Sequence, residues 1–331
     1  MTRNTNIQEI LFSVELTDIY QYLPGPNSQL ALFEMEEQEE EKEISKIPHY
    51  KAITNPKTGQ VFSVVTDGYR LVTNQEALDL ARQCFQQLFG MQDTEQMVVF
   101  NIVAPQSRSF CHVDLIHQHY SVNIWAREMW LPYLRVTNSY NRSRALRFDL
   151  GFCRKLCDNG MIFERETIPY KFYHTRQEIS PVGQFRVDFE RLKKLEASFR
   201  ESVDRLNSYP VPEEVFLPLT CIALGLEFDL QSDDAATRAK EEERFHTFKH
   251  GAKTLVAKYV DELGANAYAV LSVITDIASR PFFYRTPIWM VDRLQKRAGR
   301  WFDDFAIEIS KPIFQMDNYL AGTMVWFSQE V

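Results

Sequence analysis

The chain has 331 residues, room at roughly 150 per domain for two domains or for one large unit with an appended part. Hydrophobic residues make up 45% and charged residues 25%, which excludes wholesale disorder, and 12 Gly with 14 Pro exclude collagen-like and low-complexity classes. With Lys+Arg at 37 and Asp+Glu at 45 the net charge is −8, which argues against a generically basic nucleic-acid coat and leaves only a local basic face for that role.

Residues 1–48 read as an arm with an acidic linker. QEILFSVEL (Gln8 to Leu16) alternates enough for a strand, LPGPN is a turn, and EMEEQEEEKE (Glu34 to Glu43) concentrates the acid as a solvated run or a docking tail. An α+β core is expected over 49–176. Strand signals at Tyr50, Ala52 and Ile53 run into the turn NPKTG and the β-branched strand VFSVVT. Asp67-Gly68 predicts a tight turn, with YRLV returning as the partner strand. Thr73 or Asn74 caps a helix whose inward stripe is Leu78, Ala81, Phe85 and Leu88.

Further strands are expected at MVVFNIVA, SFCHVDLI, HYSVNIW, LPYLRVTNS and ALRFDLGF. A weaker one, FERETIPYKFYH, contains Pro169 and so belongs at an edge or bulge. Adjacent hairpins with few helices between them predict a mostly antiparallel sheet of the α+β class.

The period turns helical over 177–331. Ser180-Pro181 starts a helix with Phe189, Leu192, Leu195, Phe199, Val203 and Leu206 on its apolar face. EEVFLPLTCIALGL follows, then a charged helix from Asp233 to Lys249 that Gly251 is placed to break. LVAKYVDEL comes next, then the wholly apolar ANAYAVLSVITDIAS, and a last helix carrying Trp289, Leu294, Ala298, Trp301 and Phe305. This region reads as a bundle for self-assembly or partner docking.

Five cysteines (Cys84, Cys111, Cys153, Cys157 and Cys221) with no export signal at MTRNTNIQEI imply reduced thiols in a bacterial cytoplasm. Their spacing lacks the second tight pair of a zinc site. No apolar run approaches the roughly 18 residues of a membrane span. Dinucleotide, phosphate-loop, nucleophile-elbow and zincin motifs are missing from the sequence, so no cofactor and no catalytic residue is assigned. Alternation places His112 and Asp114 on one face, the minimum from which a metal-dependent hydrolase could be built.

The stretch that carries a binding chemistry is YLRVTNSYNRSRALRFDLGFCRKLCDNGM. Arg135, Arg142, Arg144, Arg147, Arg154 and Lys155 can fork onto phosphate, and Tyr133 and Tyr140 can stack bases. The bland alternative is that these arginines pair with the protein's own acids. NPKTGQVFSVVTDGYRLVTNQEALDLA, VTNSYNRSRALRF, GFCRKLCDNGM and NAYAVLSVITDIAS together resemble the phage/plasmid-like family grouped as domain of unknown function 932. The family's usual Asp-Gly in the central turn is Asn141-Arg142 here.

The resemblance implies a mobile-element setting and supplies no catalytic residue. The hairpin–helix arrangement is also similar to that of single-strand-annealing recombinases. The expectation is therefore a non-enzymatic accessory protein that binds or anneals single-stranded DNA, possible as a homo-oligomer. The alternative is a protein-interaction module acting on a host or defence complex.

Overall fold

The computed structural model describes residues 6–22, 44–89, 96–125, 128–155, 159–162, 170–172, 189–321 and 327. The chain is α+β, with antiparallel sheets and helices concentrated toward its C-terminal end. β1 (Glu15–Tyr22), β2 (Ile44–Thr54) and β3 (Val61–Thr66) make a small antiparallel sheet in that order. NPKTG is its β2–β3 turn, as expected: the Asn55 side chain accepts from the Lys57 amide at 2.9 Å.

Two local expectations fail here. Gln8 to Leu16 is not a strand over most of its length, because the Asn6 and Glu9 side chains box a short 3-10 turn and β1 begins only at Glu15. YRLV does not return beside VFSVVT, whose partner is β2. It leads inward instead, and the fully buried Val72 gives its carbonyl to Asn138 at 3.0 Å.

α1 (Asn74–Phe89) buries the predicted stripe. The main sheet follows with β4 (Met97–Val103), β5 (Phe110–His117), β6 (Val122–Trp125), β7 (Glu128–Ser139), β8 (Leu146–Arg154), β9 (Asn159–Ile162) and β10 (Tyr170–Phe172). Its order is β10-β8-β7-β5-β4, with β6 added to β7 and β9 to β8. The expected helix start at Ser180-Pro181 lies outside the described residues, as do Cys157 and most of FERETIPYKFYH.

The helices are α2 (Phe189–Ser208), α3 (Phe216–Leu224), α4 (Ala235–Leu263), α5 (Ala267–Ser279), α6 (Ile288–Glu308) and α7 (Met316–Leu320). α4 runs straight through Gly251. A single glycine costs a helix interior only about 1 kcal/mol, and here it lets the Phe282 ring lie where a Cβ would be. Among the described residues no helix is long and apolar enough to cross a membrane.

Strand alternation gives the main sheet two different faces. Trp130, Leu134 and Val136 of β7 join Phe148, Leu150 and Phe152 of β8 in one large apolar cluster with α1, α2, α3, α5 and α6. The intervening residues form the second face. Its rows are set by register: Asn101, Asp114, Arg135 and Asp149 lie side by side across β4, β5, β7 and β8, with His112, Thr137 and Arg147 in the next row.

α6 serves both faces. Leu294, Ala298, Trp301, Phe302 and Phe305 enter the apolar cluster, while Asp292, Gln295 and Lys296 reach the polar rows. The helix presses on β9 at Gly299, where a Cβ would collide with the Ile162 carbonyl.

Candidate functional site

The polar face is an ion network buried in protein. Arg135, 0% exposed, forks onto Asp114 at 2.6 and 2.7 Å and donates to Gln295 Oε1 at 2.6 Å. Asn101 donates to the same Asp114 carboxylate at 3.1 Å. Arg147 pairs with Asp149 at 2.8 Å and with Asp292 at 3.1 Å, and Lys296 pairs with Asp292 at 2.8 Å and Asp149 at 3.4 Å.

Three cations (Arg135, Arg147, Lys296) thus meet three carboxylates (Asp114, Asp149, Asp292). Burial, helped by nearby Asp292, pushes the Asp149 carboxyl up to about 7 against the pull of Arg147 and Arg135. His112 is wholly buried beside them, with Nδ1 on Thr137 Oγ1 at 2.8 Å. Burial, and then the guanidinium groups of Arg135, Arg144 and Arg147, hold its pKa well below the usual histidine value.

Arg154 lies on the opposite face and is 1% exposed. It forks onto Glu128 at 2.5 and 2.7 Å and reaches Glu262 of α4 at 2.6 Å. Tyr268 of α5 donates to Glu128 and accepts from Trp130 Nε1 at 2.9 Å. Tyr133 is buried, its hydroxyl donating to the Met161 carbonyl at 3.2 Å.

Tyr140 is buried as well. Its hydroxyl accepts the Asn74 amide at 2.8 Å and its carbonyl accepts Ser63 Oγ at 2.8 Å. Asn138 completes the junction by donating to Asn74 Oδ1 at 2.9 Å. The turn SYNRS therefore pins the small sheet and the start of α1 to the main sheet.

Of the eight residues that the sequence nominates for nucleic acid, Tyr133, Arg135, Tyr140 and Arg154 are buried and bonded internally, and Arg147 is neutralised by two aspartates. Arg142, Arg144 and Lys155 remain. Lys155 is exposed but follows the end of β8, whereas Arg142 and Arg144 precede its start. The strand between them is roughly 30 Å long, so the three do not form one strip.

Arg142 is exposed, has φ 60°, and donates to the Val64 carbonyl at 3.3 Å. That backbone conformation is one that glycine adopts freely and an ordinary side chain only at a cost, so Arg142 is strained there. Arg144 lies over the Phe110 ring at 4.7 Å and the Trp289 ring at 5.8 Å, and has no carboxylate partner among the described residues.

α6 is the part of this site that sequence reasoning missed. Asp292, Gln295, Lys296 and Gly299 recur at helical i, i+3, i+4 and i+7 spacing, a polar stripe beside the apolar one, and that stripe is the signal that could have found it.

Both oxygens of Asp114 are engaged by Arg135, and among the described residues no group of three or more His, Cys, Asp and Glu could hold a metal. Cys84, Cys111, Cys153 and Cys221 are buried, and burial pushes the Cys84 and Cys111 thiols up to about 12.

The internal bonds link the very segments that resemble a family signature: TNQEA meets VTNSY through Asn74 and Asn138, and FCRKLCDNG meets NAYAVLSVITDIAS through Arg154, Glu128 and Tyr268. The model of the domain of unknown function DUF932 matches residues 61–298. The chain belongs to that family. No curated protein and no solved structure matches it.

Proposed function

We propose that this DUF932 protein is a non-enzymatic accessory protein of the kind mobile elements carry. In this reading it associates with single-stranded nucleic acid through the β7–β8 turn end of the sheet, not along its strands. The observation that carries the reading is Arg144, a guanidinium with no carboxylate partner among the described residues, beside a Trp289 side chain that is 39% exposed. A cation next to an exposed indole is the pairing that single strands use, phosphate on one and base on the other. Arg142 adds an exposed guanidinium in the same turn.

The net charge of −8 keeps this contact local and weak at physiological salt. Two phosphate contacts predict a log–log salt slope of about −1.4 for a single strand. The test is fluorescence anisotropy of a labelled oligonucleotide with the full chain at low salt, repeated with Arg142→Glu and Arg144→Ala. Binding that both substitutions weaken supports the reading; binding that neither touches overturns its placement.

No binding at low salt overturns the reading itself and favours a protein partner. The small sheet is where such a partner would dock, since Tyr20, Ile44, Tyr50, Val61 and Val64 are all exposed on it.

A further inference from the structure

We propose that Arg144 and His112 together form a site for one phosphoryl group, so that the contact with nucleic acid is to a backbone phosphate. This rests on the reading above and gives it a ligand chemistry. Two buried polar atoms on this face have no hydrogen-bond partner among the described residues: His112 Nε2 and Arg144 Nε. Both side chains flank the same ring, His112 with its ring centre 5.5 Å from that of Phe110 and the Arg144 guanidinium 4.7 Å from it. A buried polar atom left unpaired costs about 1–3 kcal/mol, so two such atoms around one ring call for a partner.

The charges say what kind of partner. Arg135, Arg147 and Lys296 are matched by Asp114, Asp149 and Asp292, which among the described residues leaves Arg144 as the surplus cation of the face. The missing group is therefore an anion. Burial, and then the surrounding guanidinium groups, disfavour the protonated form of His112. The site takes the tautomer in which Thr137 donates its hydroxyl proton to Nδ1, which puts the ring proton on Nε2 as a donor toward the anion.

Two N–H groups on different side chains suit the separate oxygens of a tetrahedral phosphoryl group, and the half-buried Arg144 gives the way in from the turn. Trp289, on the other side of the guanidinium, offers a face for the attached base. The ligand class is a phosphomonoester or phosphodiester, of which a nucleotide backbone is one source and free phosphate another.

The test follows the imidazole nitrogens of His112 by NMR in the full chain, titrated separately with inorganic phosphate, thymidine monophosphate and an oligothymidylate, with chloride at matched ionic strength as control. The expected result is a saturable shift of Nε2 with all three phosphates, and none with chloride. Arg144→Ala should weaken it about tenfold or more, as loss of a charged hydrogen bond predicts. Arg144 sits in a turn and its removal breaks no ion pair, so a cooperative thermal transition certifies the fold of that variant.

An unmoved Nε2 alongside intact oligonucleotide binding overturns the phosphoryl site and spares the nucleic-acid reading. A shift with phosphate but no oligonucleotide binding spares the site and overturns that reading. A response to chloride equal to that of phosphate overturns the site as screening alone.

Discussion

Arg135 and Arg144 belong to one hairpin, the first within a strand and the second in the turn, yet the fold treats them as different kinds of residue. Arg135 sits mid-strand in β7, where both neighbouring strands and α6 close over it, and carboxylates take up its charge. Arg144 lies just past the strand, where the ladder stops and backbone no longer encloses the side chain, so it meets rings in place of acids. The same guanidinium is a fastener in one place and an open cation in the other. The difference is set by backbone position and not by the local density of arginines.

The comparison breaks first on Arg135. Arg135→Met should cost about 3–5 kcal/mol by denaturant unfolding, because Asp114 stays buried without its partner. Adding Asp114→Leu should restore much of that, which a pure loss of packing would not. Next come the fasteners of the turn: Asn138→Ala removes donors to Asn74 and to the Val72 carbonyl and should cost about 1–3 kcal/mol. Arg144→Ala, by contrast, should change stability by well under about 1 kcal/mol while weakening oligonucleotide binding.

This contrast also marks how far the sequence could be read. α1, the NPKTG turn and the run of antiparallel strands follow from periodicity and turn chemistry, both local. That His112 shares a face with Asp114, and Arg135 with Tyr133, follows from alternation. What is non-local stays hidden: Gln295 is 160 positions from the Arg135 it binds, and Glu128 is 140 from Tyr268. A string of arginines has one appearance whether its acids arrive from distant helices or never arrive. YRLV misled for a related reason, since its apolar residues suit a strand and equally suit the buried path that Asn138 holds.

pH sharpens the comparison at the network. Asp149, raised in the fold to about 7 from 3.8, holds its proton when the unfolded chain has lost its own. It therefore favours the fold at low pH, and that contribution fades as pH rises from about 4 to about 7. His112 acts oppositely: its lowered pKa means the unfolded chain takes up the proton first, so stability falls as pH drops below about 6.5. The two slopes have opposite signs over the same acidic range, so in the parent chain they offset; Asp149→Asn removes one of them, and its unfolding free energy should fall more steeply than the parent's as pH drops below about 6.5.

The smallest effect tests the turn itself. Arg142 holds φ 60°, a conformation that costs an ordinary residue about 1–2 kcal/mol and glycine almost nothing. Arg142→Gly relieves that strain but frees the unfolded chain and gives up the contact with the Val64 carbonyl, so the net change should stay within about 1 kcal/mol. Arg142→Val meets the same φ with a β-branched side chain and should destabilise by more than the glycine variant. If valine and glycine behave alike, the left-handed turn is not where Arg142 acts. If glycine is neutral for stability yet weakens oligonucleotide binding, the residue stands with Arg144 on the open side of the comparison, a cation kept at this position despite the backbone strain it brings.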